Sequence, residues 1–86
     1  MYEETAQVLR AMAHPARLCI LVALREGEEC VCQLEARLHK PQAYVSQQLA
    51  VLRRVGLVRH RKEGQRTYYA IVDQRVLLLL DRFCGG

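Results

Sequence analysis

The spacing of apolar positions changes character once along this chain. Up to residue 56 it follows a helical period. Residues 4–12 predict a first helix, with Ala6, Leu9 and Ala13 on its inner side and Val8 and Met12 beside them. His14-Pro15 interrupts it, and proline suits the first turn of a new helix. That second helix, PARLCILVALREG, is apolar almost all round, which predicts a central position, and Gly27 ends it. A third helix is predicted over about 32–39, with Leu34 and Leu38 one turn apart. His39-Lys40-Pro41 reads as a tight turn. A fourth helix over about 42–55 puts Val45, Leu49 and Leu52 on one face, and Gly56 ends it.

After Gly56 the period shortens. LVRHRKEGQRTYYAIV predicts two strands around Glu63-Gly64, with β-branched and aromatic residues in the second arm. Tyr68 and Tyr69 point to opposite faces of that arm, so at least one packs inward. The chain then returns to a helix over 73–84, with Asp73 as its N-cap and an apolar surface running most of the way round. A terminal helix that apolar needs a partner, and we assign it to a dimer interface, with the first helix beside it.

The order is therefore helix, helix, helix–turn–helix, hairpin, helix: a mainly α fold with a β-hairpin wing, a winged helix-turn-helix filling residues 1–86 as one domain. A short helix, a tight turn and a second helix place that second helix in the major groove of DNA. Opposite its Val45/Leu49/Leu52 stripe, the fourth helix carries Gln42, Tyr44, Ser46, Gln47 and Gln48, with Arg53 near its end. Amides and hydroxyls of this kind meet base edges and phosphates. The hairpin adds Arg59, Arg61, Lys62 and Arg66, with His60 positioned to touch phosphate. A polar helix face or a basic run alone is usually just solvated surface. The three features together indicate DNA binding.

Charge sharpens this picture. Residues 1–52 carry five basic and six acidic side chains, whereas residues 53–75 carry seven basic and two acidic, so the whole excess of +4 lies in the fourth helix's end and the hairpin. A localised basic stripe suits a polyanion, because each neutralised phosphate releases counterions. Eighty-six residues make a single small domain, yet 51% are apolar, more than so small a core needs. The surplus points to a symmetric dimer. No apolar run approaches the ~20 residues of a membrane span, and the acidic, amphipathic start is unlike a basic signal peptide. The expected location is cytoplasmic.

At these residues the chain resembles a known family. VSQQLAVLRRVGLVRHRKEGQRTYYAIVD is similar to the recognition helix and wing of the ArsR/SmtB winged-helix repressors, AMAHPARLCILVAL to their second helix, and ECVCQL to the metal-binding stretch of their arsenic and cadmium/lead branches. The likeness spans about residues 5 to 83. It implies a homodimeric repressor of a resistance or efflux operon that leaves its operator DNA when an inducer binds. It also implies that Ser46, Gln47 and their neighbours read DNA and that Cys30 and Cys32 bind the inducer. The chain departs from the family in places. Glu35 stands where a further cysteine often follows the Cys-Val-Cys, no cysteine precedes Cys19, and the last helix holds Asp73 and Asp81 but no histidine. A zinc site there is not expected. Lys40-Pro41 replaces the usual small polar cap before the recognition helix.

The four cysteines carry the remaining chemistry. Without an export signal, a disulfide framework is disfavoured, and Cys30 and Cys32 are too close in sequence to staple a fold. On a regular helix, residues two apart point about 200° apart, so the pair chelates only where the backbone leaves ideal helix. Two thiolates suit a soft ion: As(III) or Sb(III) first, Cd(II) or Pb(II) next, with no resident cofactor. As(III) and Sb(III) prefer three sulfurs and Cd(II) and Pb(II) take three or four, so a third donor is wanted; Cys84 is the first candidate, and a small thiol or water in its place stays open. Cys19, in the apolar second helix, reads as core. The rival reading is a redox or persulfide sensor, in which Cys30 or Cys32 bridges to Cys84 or Cys19. His14, His39 and His60 lie at no ligand spacing, and His14 reads as structural. No His/Asp arrangement supports a thiol enzyme. A protein-interaction module without DNA binding would lack salt-dependent DNA affinity.

Overall fold

The structure is a computed structural model describing residues 1–84; Gly85 and Gly86, the end of the expected 1–86 domain, lie outside the described residues. The element order is α1 (Glu3–Met12), α2 (Pro15–Leu24), β1 (Glu29–Cys30), α3 (Val31–Leu38), α4 (Gln42–Arg54), β2 (Val58–Glu63), β3 (Arg66–Ile71) and α5 (Gln74–Phe83). It is the winged helix-turn-helix expected, with one strand more. β2 and β3 form the antiparallel hairpin, with Glu63 opposite Arg66, and Gly64 (φ 62°) supplies the left-handed residue of the two-residue turn. β1 adds to the other edge of β3, giving the order β1-β3-β2.

The helix limits follow local chemistry. His14 caps α2: its Nδ1 accepts the Ala16 amide at 3.2 Å, and Pro15 occupies the first turn. The imidazole is structural, as its position before proline suggested. α2 stops at Leu24 rather than at Gly27. α3 ends on His39 in the left-handed region (φ 56°), whose amide donates to the Glu35 carbonyl, and this makes the tight turn into α4.

Val45, Leu49 and Leu52 are fully buried, as their spacing required, and Ile20, Leu21, Leu34 and Leu57 close around them. Two expectations about inner faces are corrected. In α1 the buried residues are Ala11 and Met12, whereas Leu9 is 49% exposed and Ala13 is exposed. In α2 the core takes Ile20, Leu21, Ala23 and Leu24, which turns Leu18, Cys19 and Val22 outward; Cys19 is exposed, not core. A helix apolar all round has no period from which its inner face can be read.

Asp73 caps α5 as expected, accepting the Arg75 amide at 2.9 Å and pairing with the Arg75 guanidinium. Those donors, the guanidinium first, hold its carboxyl below the ordinary carboxylate range. Asp73→Ala should cost about 1 kcal/mol, the usual worth of such a cap, or roughly 4–8 °C in Tm for a domain this size. A depressed folded pKa gives stability that is complete above the unfolded value near ~3.9 and is lost as pH falls through the folded one. Thermal melts should therefore show the Tm gap between wild type and variant closing on acidification below about pH 4.

Candidate DNA-reading face and thiol site

α4 is the second helix of the helix–turn–helix and the candidate recognition helix. Gln42 and Gln47 are exposed on it, Tyr44 and Ser46 half-buried, and the Lys40 ammonium sits 5.5 Å from the Tyr44 ring centre. Gln48 is already engaged: its Oε1 accepts from Arg17 Nη1 at 2.9 Å. Arg53, near the helix end, donates to the His60 ring at 3.1 Å, and His60 stacks on buried Tyr69. On the wing, Arg59, Lys62 and Arg66 are exposed cations. Arg61 differs from them. Its guanidinium lies 4.7 Å from the Tyr68 ring centre and is gripped by the Glu28 carboxylate, with Glu63 at 3.3 Å. The hydrogen bond to Arg61 holds the Glu28 carboxyl below its ordinary range, and the same bond raises the guanidinium. A phosphate must therefore compete with Glu28 for Arg61, whereas Lys62 and Arg66 meet it unopposed.

The thiol pair sits where α3 begins. Cys30 and Cys32 are bonded to each other, with Cα atoms 5.3 Å apart. The sulfurs meet because Cys30 is not helical: it is the extended N-cap (φ −81°, ψ 162°), and Cys32 lies in the first turn. A disulfide here departs from the reduced pair expected. Its loop is too short to constrain the unfolded chain much, so its significance is chemical rather than structural. Cys30 is 2% exposed and Cys32 exposed, so reagents reach the pair from the Cys32 side.

Cys30 also holds local structure together. Its Sγ accepts the Gln33 amide at 3.4 Å, while its own amide donates to Gln33 Oε1 at 2.8 Å, a reciprocal capping box built on a cysteine. Gln33 is a functional residue the sequence reading missed, although Cys-x-x-Gln before a helix is a variant of the usual signal. Through β1, Cys30 pairs with Tyr68 of the wing strand. Beside it, Glu29 is buried and accepts two hydrogen bonds, at 2.8 and 2.5 Å, from Arg37 in the last turn of α3. This ion pair fastens the C-terminal end of α3 to β1 at the sheet edge.

A cleft of about 200 Å³ opens at the pair, bordered by Cys30, Cys32, Glu35, Gln42 and Arg66. Gln42 begins the recognition helix and Arg66 begins the second wing strand, so the thiols and two candidate DNA contacts share one cleft. Cys84 lies elsewhere in the protomer. It lines an apolar groove of about 400 Å³ with Leu9, Met12, Leu18 and Phe83. Among the described residues no three His, Cys, Asp or Glu side chains come together as a metal-binding group. As a disulfide the pair presents no thiolate; once reduced, Cys30 and Cys32 would supply two sulfur donors, and among the described residues no third sulfur lies beside them.

A helix–turn–helix with a polar second helix and a cationic wing defines a winged-helix DNA-binding regulator. The chain belongs to the arsR family of bacterial regulatory proteins, whose pattern matches residues 14–60. It is 45% identical over 76 residues to an uncharacterized HTH-type transcriptional regulator of Methanocaldococcus jannaschii, covering 87% of this chain and 85% of that one. The crystal structure of the transcriptional repressor BigR from Xylella fastidiosa superposes with a TM-score of 0.89 at 33% identity, over 95% of this chain and 84% of that one. A homodimeric winged helix-turn-helix DNA-binding domain from Mycobacterium bovis, described as a possible ArsR-family regulator, superposes with a TM-score of 0.86 at 32% identity, over 96% and 77% of the two chains. These relatives are transcription regulators rather than enzymes. Among the described residues no single helix is long and apolar enough to cross a membrane.

Proposed function

We propose that this protein is a cytoplasmic, homodimeric repressor that occupies operator DNA of a metal(loid) resistance or efflux operon and leaves it when a thiophilic ion binds reduced Cys30 and Cys32. As(III) or Sb(III) is the first inducer, and Cd(II) or Pb(II) follows. The observation that carries this reading is the extended N-cap backbone of Cys30, which turns its side chain to the same side as Cys32, in a cleft shared with Gln42 and Arg66. Soft ions select thiolate donors. A third donor comes from Cys84 across a dimer or from a small exogenous thiol. Occupying Cys30 Sγ removes it as the acceptor for Gln33 and disturbs both the α3 start, which packs on α4, and the β1–β3 pairing. Recognition helix and wing are thereby displaced together. Inducer and DNA must then weaken one another by the same factor.

The Cys30–Cys32 bond favours a second reading, in which oxidation or reactive sulfur at the same pair is the signal. The two readings separate in one experiment. The reduced protein is bound to labelled operator-proximal DNA at fixed salt and titrated with arsenite, then cadmium, lead and zinc, and last with peroxide or a polysulfide. Release near one equivalent of arsenite supports the ion-sensing reading. Release only by oxidant or polysulfide, reversed by a reductant, replaces it with the redox reading. Release by none of them removes both.

A further inference from the structure

We propose that a groove lined by Arg10, Arg17 and Arg54 is a second phosphate-binding surface, which grips the DNA backbone beside the segment read by α4; this rests on the reading of the protein as an operator-binding regulator. The groove, about 470 Å³, runs between α1, α2 and α4 over Val51 and Val55. Its central group is fixed in place. Arg17 is half-buried and donates through Nε to the Ala11 carbonyl at 2.5 Å and through Nη1 to Gln48 at 2.9 Å. Both acceptors are neutral, so the guanidinium charge stays uncompensated.

The arginines of this protein divide by partner. Arg25, Arg37, Arg61 and Arg75 each hold a carboxylate. Among the described residues, Arg10, Arg17 and Arg54 hold none, and neither do Arg53, Arg59 and Arg66 of the recognition helix and wing or Arg82 of α5. Three unpaired guanidinium groups round one hollow repel each other until an anion enters, and their planar forks match phosphate oxygens.

Placement selects the anion. Arg54 follows Gln47 by seven residues, two helical turns, so both lie on the stripe of α4 opposite its buried face. The stripe continues ~10 Å beyond Gln47 to Arg54, while the major groove is only ~12 Å wide. A helix reading bases with its first turns therefore brings Arg54, and the groove beside it, to the flanking phosphates. Arg10 and Arg17 come from the half of the chain that carries a net negative charge, and folding adds them to the basic face.

The test compares wild type with an Arg10→Gln, Arg54→Gln double variant, both side chains being exposed and free of carboxylates. Operator affinity is measured between about 50 and 200 mM salt, a range over which phosphate neutralisation dominates the change. The expected result is a salt slope reduced by about 0.9 for each phosphate that the variant leaves unneutralised, an affinity lower by roughly tenfold or more at low salt, and unchanged base preference and arsenite response. Arg82→Gln, on α5, should leave the slope as it is. A steep wild-type slope that the double variant does not alter overturns the groove and leaves operator binding intact. A wild type with no salt-dependent operator affinity overturns the DNA reading and the groove with it. Calorimetric binding of inorganic phosphate that the double variant abolishes, with an unaltered operator slope, would assign the groove to a free phosphorylated ligand and overturn its role on the DNA backbone.

Discussion

A Cys30→Ser, Cys32→Ser double variant should bind operator DNA like the wild type and ignore arsenite. Serine is among the best N-cap residues, so its hydroxyl takes over from Cys30 Sγ as acceptor for the Gln33 amide and the capping box survives. Cys32 is exposed and its replacement leaves no cavity. Operator affinity should stay close to that of the wild type, because the capping box that orders the start of α3 is kept. Inducer coupling should collapse. An effector of this kind changes affinity by about 5–150-fold, and without its thiolates that ratio should fall to about one. Circular dichroism melts and operator anisotropy, with and without arsenite, check both halves of the expectation. Normal release from the double variant would place the sensor at other residues.

A Leu78→Lys, Phe83→Lys variant should be monomeric and lose most of its operator affinity. These side chains are 67% and 82% exposed in the protomer, and Phe83 lines the apolar groove with Leu9, which is 49% exposed. Surface of this kind on α1 and α5 fits the same surface of a second copy across a two-fold axis. Covering a large apolar side chain contributes about 1.5–3 kcal/mol, and a lysine in its place puts charges face to face. A monomer engages one half-site, forfeiting the roughly 10²–10⁴-fold gain from tethering two. The core, built on Val45, Leu49 and Leu52, is untouched, so helix content should persist. Sedimentation would show a single protomer mass beside a folded spectrum. A dimer of unchanged stability would move the interface to another face.

The reading elements were legible because their signals are local. Val45, Leu49 and Leu52 repeat at helical spacing, Glu63-Gly64 marks the turn, and Asp73 precedes an apolar run; all three behave as expected. β1 was not legible. It is two residues long, held by backbone pairing to Tyr68 and Tyr69, and contains Glu29, a carboxylate buried only because Arg37 arrives eight residues later to pair with it. The same strand explains how thiols two apart in sequence meet: the N-cap is extended, and no periodicity announces that. The outward turn of Cys19 escaped for the opposite reason, an excess of apolar signal round the whole of α2. Charge counting located the basic stripe but could not show that Glu28 occupies Arg61, or that Arg10 and Arg17 join Arg54 across three helices. Those pairings exist only in three dimensions.

We propose that the α3 N-cap receives the signal and passes it to wing and recognition helix together. Amide NMR shifts of the reduced protein, recorded on adding one equivalent of arsenite, test it most directly. The largest shifts are expected at Cys30 and at Gln33, whose amide donates to the Cys30 sulfur, with further shifts at Tyr68 and Tyr69 in the wing and at Gln42 to Gln47 in α4. Shifts confined to α2 and α5 around Cys19 and Cys84, with the Gln33 amide unmoved, would contradict it.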